Sequence, residues 1–122
     1  MTFELNNISA YRISKDLSNQ IWKEVNKWKF LAKKTLGEQV IRSTDSISGN
    51  IAEGFGRFHK MDKIKFYYNA RASAYESAHW IELAIERNLI DKNNGQDLLS
   101  KMRELPKEIN ILIKLTMTNL KK

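Results

Sequence analysis

The apolar residues of this chain recur every three or four positions along nearly its whole length. In the first third, Ile13, Leu17 and Ile21 follow one another at steps of four, and Val25 and Trp28 continue the series. This spacing places apolar side chains on one face of an amphipathic helix. Three further stretches show the same period: Leu36, Val40, Ile47 and Ile51; Ile64, Tyr67, Ala74, Ala78, Ile81 and Ile85; and Leu98, Met102, Leu105, Ile109 and Leu112. No stretch shows sustained alternation at a period of two, so the pattern predicts an all-α protein.

Turn-forming residues divide the chain into four predicted helices, over roughly 8–34, 37–57, 60–89 and 92–119. Thr35-Leu36-Gly37 is expected to separate the first two helices, and a glycine of Gly54-Phe55-Gly56 to take a left-handed cap after the second. Asp91 is a candidate N-cap for the fourth helix. Pro106 predicts a kink or a short break there, near Leu105. Short connections favour one domain, 1–122, folded as an antiparallel up-and-down four-helix bundle.

Composition excludes several classes of protein. The 122 residues include no cysteine and two histidines, His59 and His79. A disulfide framework, a thiolate metal site and a cysteine nucleophile are therefore excluded. No residues fill the roles of nucleophile, base and electrophile together, so we expect no enzyme, no cofactor and no metal. There is no apolar stretch long enough to cross a membrane and no signal-peptide pattern, which predicts a cytoplasmic protein without membrane contact.

The charge of the chain favours a polyanionic partner. Twenty-one Lys and Arg residues face fourteen Asp and Glu residues, for a net charge of +7. The excess lies at the two ends of the sequence, in residues 1–36 and 91–122. Basic excess of this kind is typical of proteins that bind nucleic acid, although it also serves solubility alone.

The second predicted helix carries an unusual polar stripe beside its apolar face. Only three charged residues lie between Gln39 and Gly56, so we expect this helix to be covered on most sides. A covered stripe must satisfy its own polar groups, and Glu53 can reach Arg57 or Asn50 along the helix. An internal network or a subunit contact is favoured over a binding or catalytic constellation. The predicted network comprises Gln39, Arg42, Ser46, Asn50, Glu53, Arg57 and, from the third helix, Glu76; the small residues Ser48, Gly49, Ala52 and Gly56 form a further face.

Two segments of the chain resemble the pattern of a known family. Residues 39–57, QVIRSTDSISGNIAEGFGR, are similar to Q-x-x-R-x-x-x-S-I-x-x-N-I-A-E-G-x-G-R, and residues 66–76 are similar to F-x-x-x-A-x-G-S-x-x-E. Both are patterns of the bacterial four-helix-bundle proteins encoded in intervening sequences of large-subunit rRNA genes. The resemblance spans roughly residues 10–118. The chain departs from the family pattern at Asp45, Ser48, Gly49, His59, Asp62 and Ala72.

The resemblance implies a bundle that assembles into a homo-oligomeric ring, commonly a homopentamer. It also implies kinship with basic accessory proteins of reverse transcriptases in diversity-generating retroelements, which bind the polymerase and nucleic acid. No enzyme activity follows from the resemblance. Five chains of +7 would carry +35 on one ring.

The candidate nucleic-acid-binding residues are lysines near the end of the first predicted helix. Lys23, Lys27 and Lys34 are expected on one face of it, with Lys29 and Lys33 on its flanks. The aromatic residues Trp22 and Phe30 lie close to these lysines in the sequence. Lysines can release counterions from phosphates and aromatic rings can stack on bases. Alternatively, Trp22 and Phe30 form a protein interface. The two hypotheses are therefore a non-enzymatic accessory protein that captures structured RNA, and a scaffold for protein interactions.

Overall fold

The computed structural model describes residues 3–119 and shows four long α-helices. These are α1 (Ser9–Val25), α2 (Glu38–Gly56), α3 (Lys60–Glu86) and α4 (Lys92–Asn119). A 3-10 turn, Leu5–Asn7, precedes α1, and a helical lead-in to α2 consists of Phe30–Ala32 and a π-helical turn, Lys33–Gly37. No strand is formed between residues 3 and 119, so the prediction of an all-α bundle is confirmed.

The core lies along the axis of the bundle, where α2 packs against α1 and α3, and α4 packs against α3 and α1. Ile13, expected in the core, is instead 38% exposed. It lies on the side of α1 that faces α4, and these two helices make the sparsest contact among the four neighbouring pairs. The other members of the α1 series are buried. The predicted core positions that are buried almost completely are Leu17, Val40, Ile47, Ile51, Ile64, Tyr67, Ala74, Ile81, Met102, Leu105 and Ile109.

The first corner lies at 26–29, and the expected break at residues 35–37 is wrong. α1 ends at Val25, rather than near residue 34, and the Trp28 N–H donates to the carbonyl of Val25 at 3.0 Å. Trp28 is only 8% exposed. Gly37 is helical, and a Cβ atom there would lie 2.8 Å from Cγ1 of Val25. Gly37 therefore permits the lead-in to pack closely against the end of α1, which is a different use of glycine from a helix break.

The corner after α2 forms without a left-handed glycine, contrary to the sequence prediction. Within residues 3–119 no glycine has a positive φ, and Arg57 ends α2 in an extended conformation. Gly54 is required for packing instead. A Cβ atom on Gly54 would lie 2.7 Å from Cε1 of Tyr67 and 2.9 Å from the carbonyl oxygen of Lys63. The close approach of α2 and α3 therefore depends on the absence of a side chain at Gly54.

The fourth helix begins as predicted and continues through its proline. A carboxylate oxygen of Asp91 accepts a hydrogen bond from the backbone N–H of Asn94 at 3.1 Å, which confirms the N-cap. Pro106 is buried inside α4, and the helix is continuous from Lys92 to Asn119. The expected short break near Leu105 is therefore absent. Tertiary packing of this buried segment outweighs the loss of one backbone donor.

Substitution of Gly54 tests the contact between α2 and α3. We expect Gly54→Ala to lower the free energy of unfolding by about 1–3 kcal/mol, because the new methyl group overlaps the Tyr67 ring and the Lys63 carbonyl. Gly56→Ala is the matched control, since nothing lies within 4 Å of a Cβ atom there. Urea denaturation of both variants measures the difference. Equal stability of the two variants would contradict the assigned contact.

Tyr67 provides a test that depends on pH. The residue is 2% exposed, and burial raises the pKa of its phenol to about 12. An unfolded tyrosine ionises near pH 10, so above pH 10 the unfolded state releases its proton first and is favoured. We expect the free energy of unfolding to fall by up to about 3 kcal/mol between pH 10 and pH 12. In urea denaturation over this range, Tyr67→Phe should lack this contribution, whereas Tyr75→Phe, at an exposed position, should retain it.

Candidate nucleic-acid interface

The five candidate lysines lie together at one end of the bundle, here called the lysine end. They do not share one face of the first helix, because the chain reverses at residues 26–29. Lys23 lies in the last turn of α1, Lys27 and Lys29 lie in the corner, and Lys33 and Lys34 lie in the π-helical turn. The prediction of a single helical face is wrong. The gathering of these residues at one place is instead a result of the corner.

Hydrogen bonds hold the backbone of the lysine end in place. The backbone N–H and the side-chain amide of Asn26 both donate to the carbonyl of Trp22, at 3.2 and 3.0 Å. On the far side of the corner, the Lys33 N–H donates to the carbonyl of Lys29 at 3.0 Å. The lead-in therefore starts from a defined direction. Since Trp28 lies between these two sets of bonds and is buried, the corner is anchored in the core.

Three of the five lysines are free of carboxylates. Lys27 pairs with Glu24 at 3.6 Å, and Lys34 pairs with Glu38 at 3.5 Å. Lys23, Lys29 and Lys33 have no salt bridge within residues 3–119. Exposed ion pairs such as Lys34–Glu38 contribute little to stability. Lys27 and Lys34 therefore also remain available to an anion that binds them more strongly than a carboxylate does. The lysine end therefore presents a concentrated positive charge to the solvent.

Large apolar side chains are exposed beside these lysines. Trp22 is 56% exposed, Phe30 is 77% exposed and Leu31 is 74% exposed. Leu31 was missed by sequence reasoning, because it adjoins the core residues of the second helix in sequence without sharing their face. Large apolar side chains that are exposed next to one another are typical of a contact surface. The structure thus brings Trp22 and Phe30 to the same end of the bundle as the lysines.

A recess of about 450 Å³ lies between the first corner and the corner that joins α3 to α4. Its walls include Lys27 and Lys29 but also the carboxylates of Glu24 and Asp91. Asn88, the one non-glycine residue of the described chain with a positive φ (58°), shapes the second corner. The mixed charge of the recess makes it a poor pocket for a free anion. Of the three lysines without a salt bridge in the described residues, Lys29 lines this recess, whereas Lys23 and Lys33 lie outside it.

The polar stripe on α2 faces outward in the single chain. Glu53 and Arg57 form the expected ion pair at 3.0 Å, and the Arg57 guanidinium lies 4.6 Å from the centre of the Phe66 ring. Asn50 and Glu53 form no hydrogen bond with each other. Its amide donates to the carbonyl of Ser46 at 2.8 Å, one turn earlier on the same helix. The remaining stripe residues Gln39 and Arg42 are exposed.

Glu76 lies on the neighbouring helix beside this stripe, and no arginine of residues 3–119 forms a salt bridge with it. Its carboxylate accepts a hydrogen bond from Nε1 of Trp80 at 3.0 Å. The hydroxyls of Ser43 and Ser77 are 2.9 Å apart in the interior, which sets Glu76 at the level of Arg42. The expectation that α2 is covered on most sides is not met within one chain.

The described residues form neither a metal-binding cluster nor a membrane-spanning helix. Between residues 3 and 119 no group of three His, Asp or Glu side chains is arranged to hold a metal ion. Over the same range no helix is long and apolar enough to cross a membrane. Burial next to Phe55 lowers the pKa of Lys63, but the Lys63 ammonium is used to cap the Phe55 carbonyl at 2.7 Å. Lys63 therefore has a structural role at the end of α2.

The protein is a four-helix bundle. One end of the bundle is basic and exposes aromatic rings, and a polar stripe on α2 faces outward. A sequence profile of the family described as 23S rRNA-intervening sequence protein matches residues 6–111. The chain therefore belongs to the family of 23S rRNA-intervening sequence proteins, as its sequence motifs predicted. The match covers all of α1, α2 and α3 and most of α4.

A solved relative has the same fold. The crystal structure of a protein of unknown function from the S23 ribosomal protein family of Bacteroides thetaiotaomicron aligns with a TM-score of 0.74 and 27% sequence identity. The alignment covers 86% of this chain and 98% of the relative. No protein with a curated description matches the chain. The family and the fold are therefore established, whereas the activity has to be argued from the surfaces of the molecule.

Proposed function

We propose that this protein is a non-enzymatic accessory protein that binds structured RNA through the lysine end. The observation that carries the proposal is the group of three unpaired lysines, Lys23, Lys29 and Lys33, next to the exposed rings of Trp22 and Phe30. Lys27 and Lys34, which form salt bridges with glutamates, lie at the same end of the bundle. The net charge of +7 supports the same choice of partner.

Binding by this surface is electrostatic and does not read the base sequence. Each lysine that approaches a phosphate releases condensed counterions, and this release drives association. Exposed Trp22 and Phe30 can stack on unpaired bases of a loop or a bulge, and such stacking tolerates any base. The lysine stems are flexible, so they can follow an irregular RNA backbone. The proposed mechanism is therefore capture of RNA by charge and stacking.

Neutralising the unpaired lysines tests the RNA-binding surface. The triple variant Lys23→Gln, Lys29→Gln and Lys33→Gln should bind a structured RNA at least tenfold more weakly at low salt. If each lysine contacts one phosphate, the slope of the log–log dependence of affinity on salt should become shallower by about 2–3. Fluorescence anisotropy at several salt concentrations measures both quantities.

A control variant separates local contact from total charge. Lys15→Gln, Lys65→Gln and Lys114→Gln remove the same charge from exposed positions distant from the lysine end. We expect this control to keep most of the affinity. Equal weakening by both triple variants would show that only net charge matters and would remove the assignment of this end. Absence of RNA binding by the parent protein at low salt would refute the proposed function.

We also propose that the protein acts as a homo-oligomer, a pentamer of the kind that the family resemblance implies, and that the outward face of α2 is its subunit contact. Gly49 supports this assignment, since nothing lies within 4 Å of a Cβ atom there in the single chain. The neighbouring Asn50, Glu53 and Arg57 supply polar groups that a second subunit could pair with. A ring of five chains would concentrate the positive charge of five lysine ends on one particle.

A bulky side chain on α2 tests this contact. A Cβ atom at Gly49 would meet nothing within 4 Å and the position is exposed, so we expect Gly49→Trp to keep normal helicity but to show a lower mass by light scattering. Asn50→Leu should weaken assembly in the same way, since within the chain its amide bonds only to the carbonyl of Ser46. Tyr75→Trp, at an exposed position on α3, is the control and should keep the parent mass. An unchanged mass of Gly49→Trp would exclude this face as the contact.

Scaffolding of protein partners is the second candidate function. The exposure of Trp22, Phe30 and Leu31 favours it, because large exposed apolar groups are typical of protein interfaces. The fluorescence of Trp22 distinguishes the two functions. Stacking on RNA should quench it, and Trp22→Phe should lose this response. RNA binding that leaves the Trp22 emission unchanged would assign the apolar residues to a protein partner.

A further inference from the structure

A groove of about 510 Å³ runs along the bundle between α1 and α4. Ile13, Leu17 and Leu105 form its floor. Leu17 and Leu105 are fully buried by the helices, whereas Ile13 is partly exposed in the groove. The first and last helices are not joined to each other by a corner, and their contact is the sparsest of the neighbouring pairs. This geometry explains why an apolar residue in the core register remains uncovered.

The apolar surface continues along α4 beyond this groove. Glu108 lines both the groove and a second recess, whose walls include Ile111, Leu115 and Phe3. Ile111 and Leu115 are each about half exposed, at 50% and 52%. From Lys101 to Leu115 the combined surface follows α4 for about 21 Å, or four helical turns. A single helix of about 15 residues would cover it.

The rim of the groove is acidic, unlike the rest of this basic chain. Asp16, Glu104 and Glu108 lie along it, with Arg12 and Lys101 as the two cations. Lys101 is neutralised by a carboxylate, whereas Arg12 bonds to a neutral backbone carbonyl and keeps its charge, so the rim residues carry two positive and three negative charges. Arg12 donates to the carbonyl of Asn6 at 2.6 Å, and Lys101 pairs with Asp97 at 3.0 Å.

The acidic side chains of the rim are less fully neutralised. Asp16 accepts only the amide of Gln20, at 2.7 Å. Glu104 has a long, exposed pair with Lys107 at 3.5 Å. Glu108 has no salt bridge within the described part of the chain. The rim therefore attracts cations, while the floor attracts apolar side chains.

We infer that this groove, here called the α1–α4 groove, binds a basic amphipathic helix of a partner protein. Apolar anchors at positions i, i+3, i+4 and i+7 of that helix would lie over Ile13 and Ile111, and its lysines or arginines would face Glu104 and Glu108. Nucleic acid is repelled by the same carboxylates. A second copy that docked isologously through this groove would place these carboxylates against one another, which is unfavourable. A ring neighbour would have to meet the groove with a different face, an arrangement that the mass measurement below detects. The inference does not rest on the RNA binding proposed above.

A designed peptide tests the inference. The probe is a fluorescein-labelled peptide of about 15 residues, with leucine at the helical anchor positions and lysine elsewhere. The matched peptide has glutamate in place of every lysine. We expect the basic peptide to bind in an anisotropy titration and to weaken with salt, and the acidic peptide to show at least tenfold lower affinity.

Variants of the groove locate the binding. Glu104→Lys combined with Glu108→Lys should weaken the basic peptide at least tenfold, and Ile13→Asp should do the same through the floor. The matched controls are Asp45→Lys combined with Glu86→Lys, and Tyr75→Asp, all at exposed positions on α2 and α3. These controls should bind within about twofold of the parent protein. Circular dichroism of each variant verifies the fold.

Three outcomes would overturn the inference. The first is equal binding of the acidic and basic peptides, and the second is equal weakening by the groove variants and their controls. The third is a fall in mass of the groove variants without peptide binding by the parent, which would assign the groove to a second copy of the chain. RNA titration of the same variants keeps the two proposals apart. Loss of peptide binding with unchanged RNA binding would place the two partners on separate surfaces.

Discussion

Burial of Trp28 in the first corner is the interaction on which the lysine end depends. The indole can enter the core because the chain reverses at residues 26–29, and Gly37 leaves room for the end of α1 against the lead-in. The same reversal brings lysines from α1, the corner and the lead-in to one end of the bundle. A continuous helix through residue 34 would have spread these charges over about 17 Å. Core packing and surface charge are therefore set by the same few residues.

The sequence predicted the fold class and the family, and it predicted the corners less well. Apolar periodicity identified the cores of all four helices, because helical spacing and burial coincide there. The step of three from Val25 to Trp28 continues this period, and no glycine or proline lies in residues 26–29, so the corner has no local signal. Gly37 and Gly54 resemble helix ends in sequence, yet both serve close packing. Ile13 has the helical spacing of a core residue and yet is exposed, because periodicity does not show whether a neighbouring helix covers a residue.

The candidate site was predictable in composition and unpredictable in geometry. The lysines and aromatic residues were identifiable from their types, but their gathering at one end follows from the tertiary reversal of the chain. The α1–α4 groove had no signal in the net charge, since its three carboxylates are spread over two helices distant in sequence. Opposite charges thus lie on different surfaces of one small bundle. Such separation is what the two proposed partners, one anionic and one cationic, require.

The π-helical turn Lys33–Gly37 holds one residue more than a regular α-helix of the same rise, as such turns do. Each residue of an α-helix turns the chain by about 100°, so this surplus sets the rotation of the lead-in relative to the core face of α2. A single insertion or deletion in the turn would turn Phe30 and Lys33 around the helix axis while leaving Val40 and the residues after it in register. The surface of the lysine end can therefore diverge between relatives through changes of length, independently of the core.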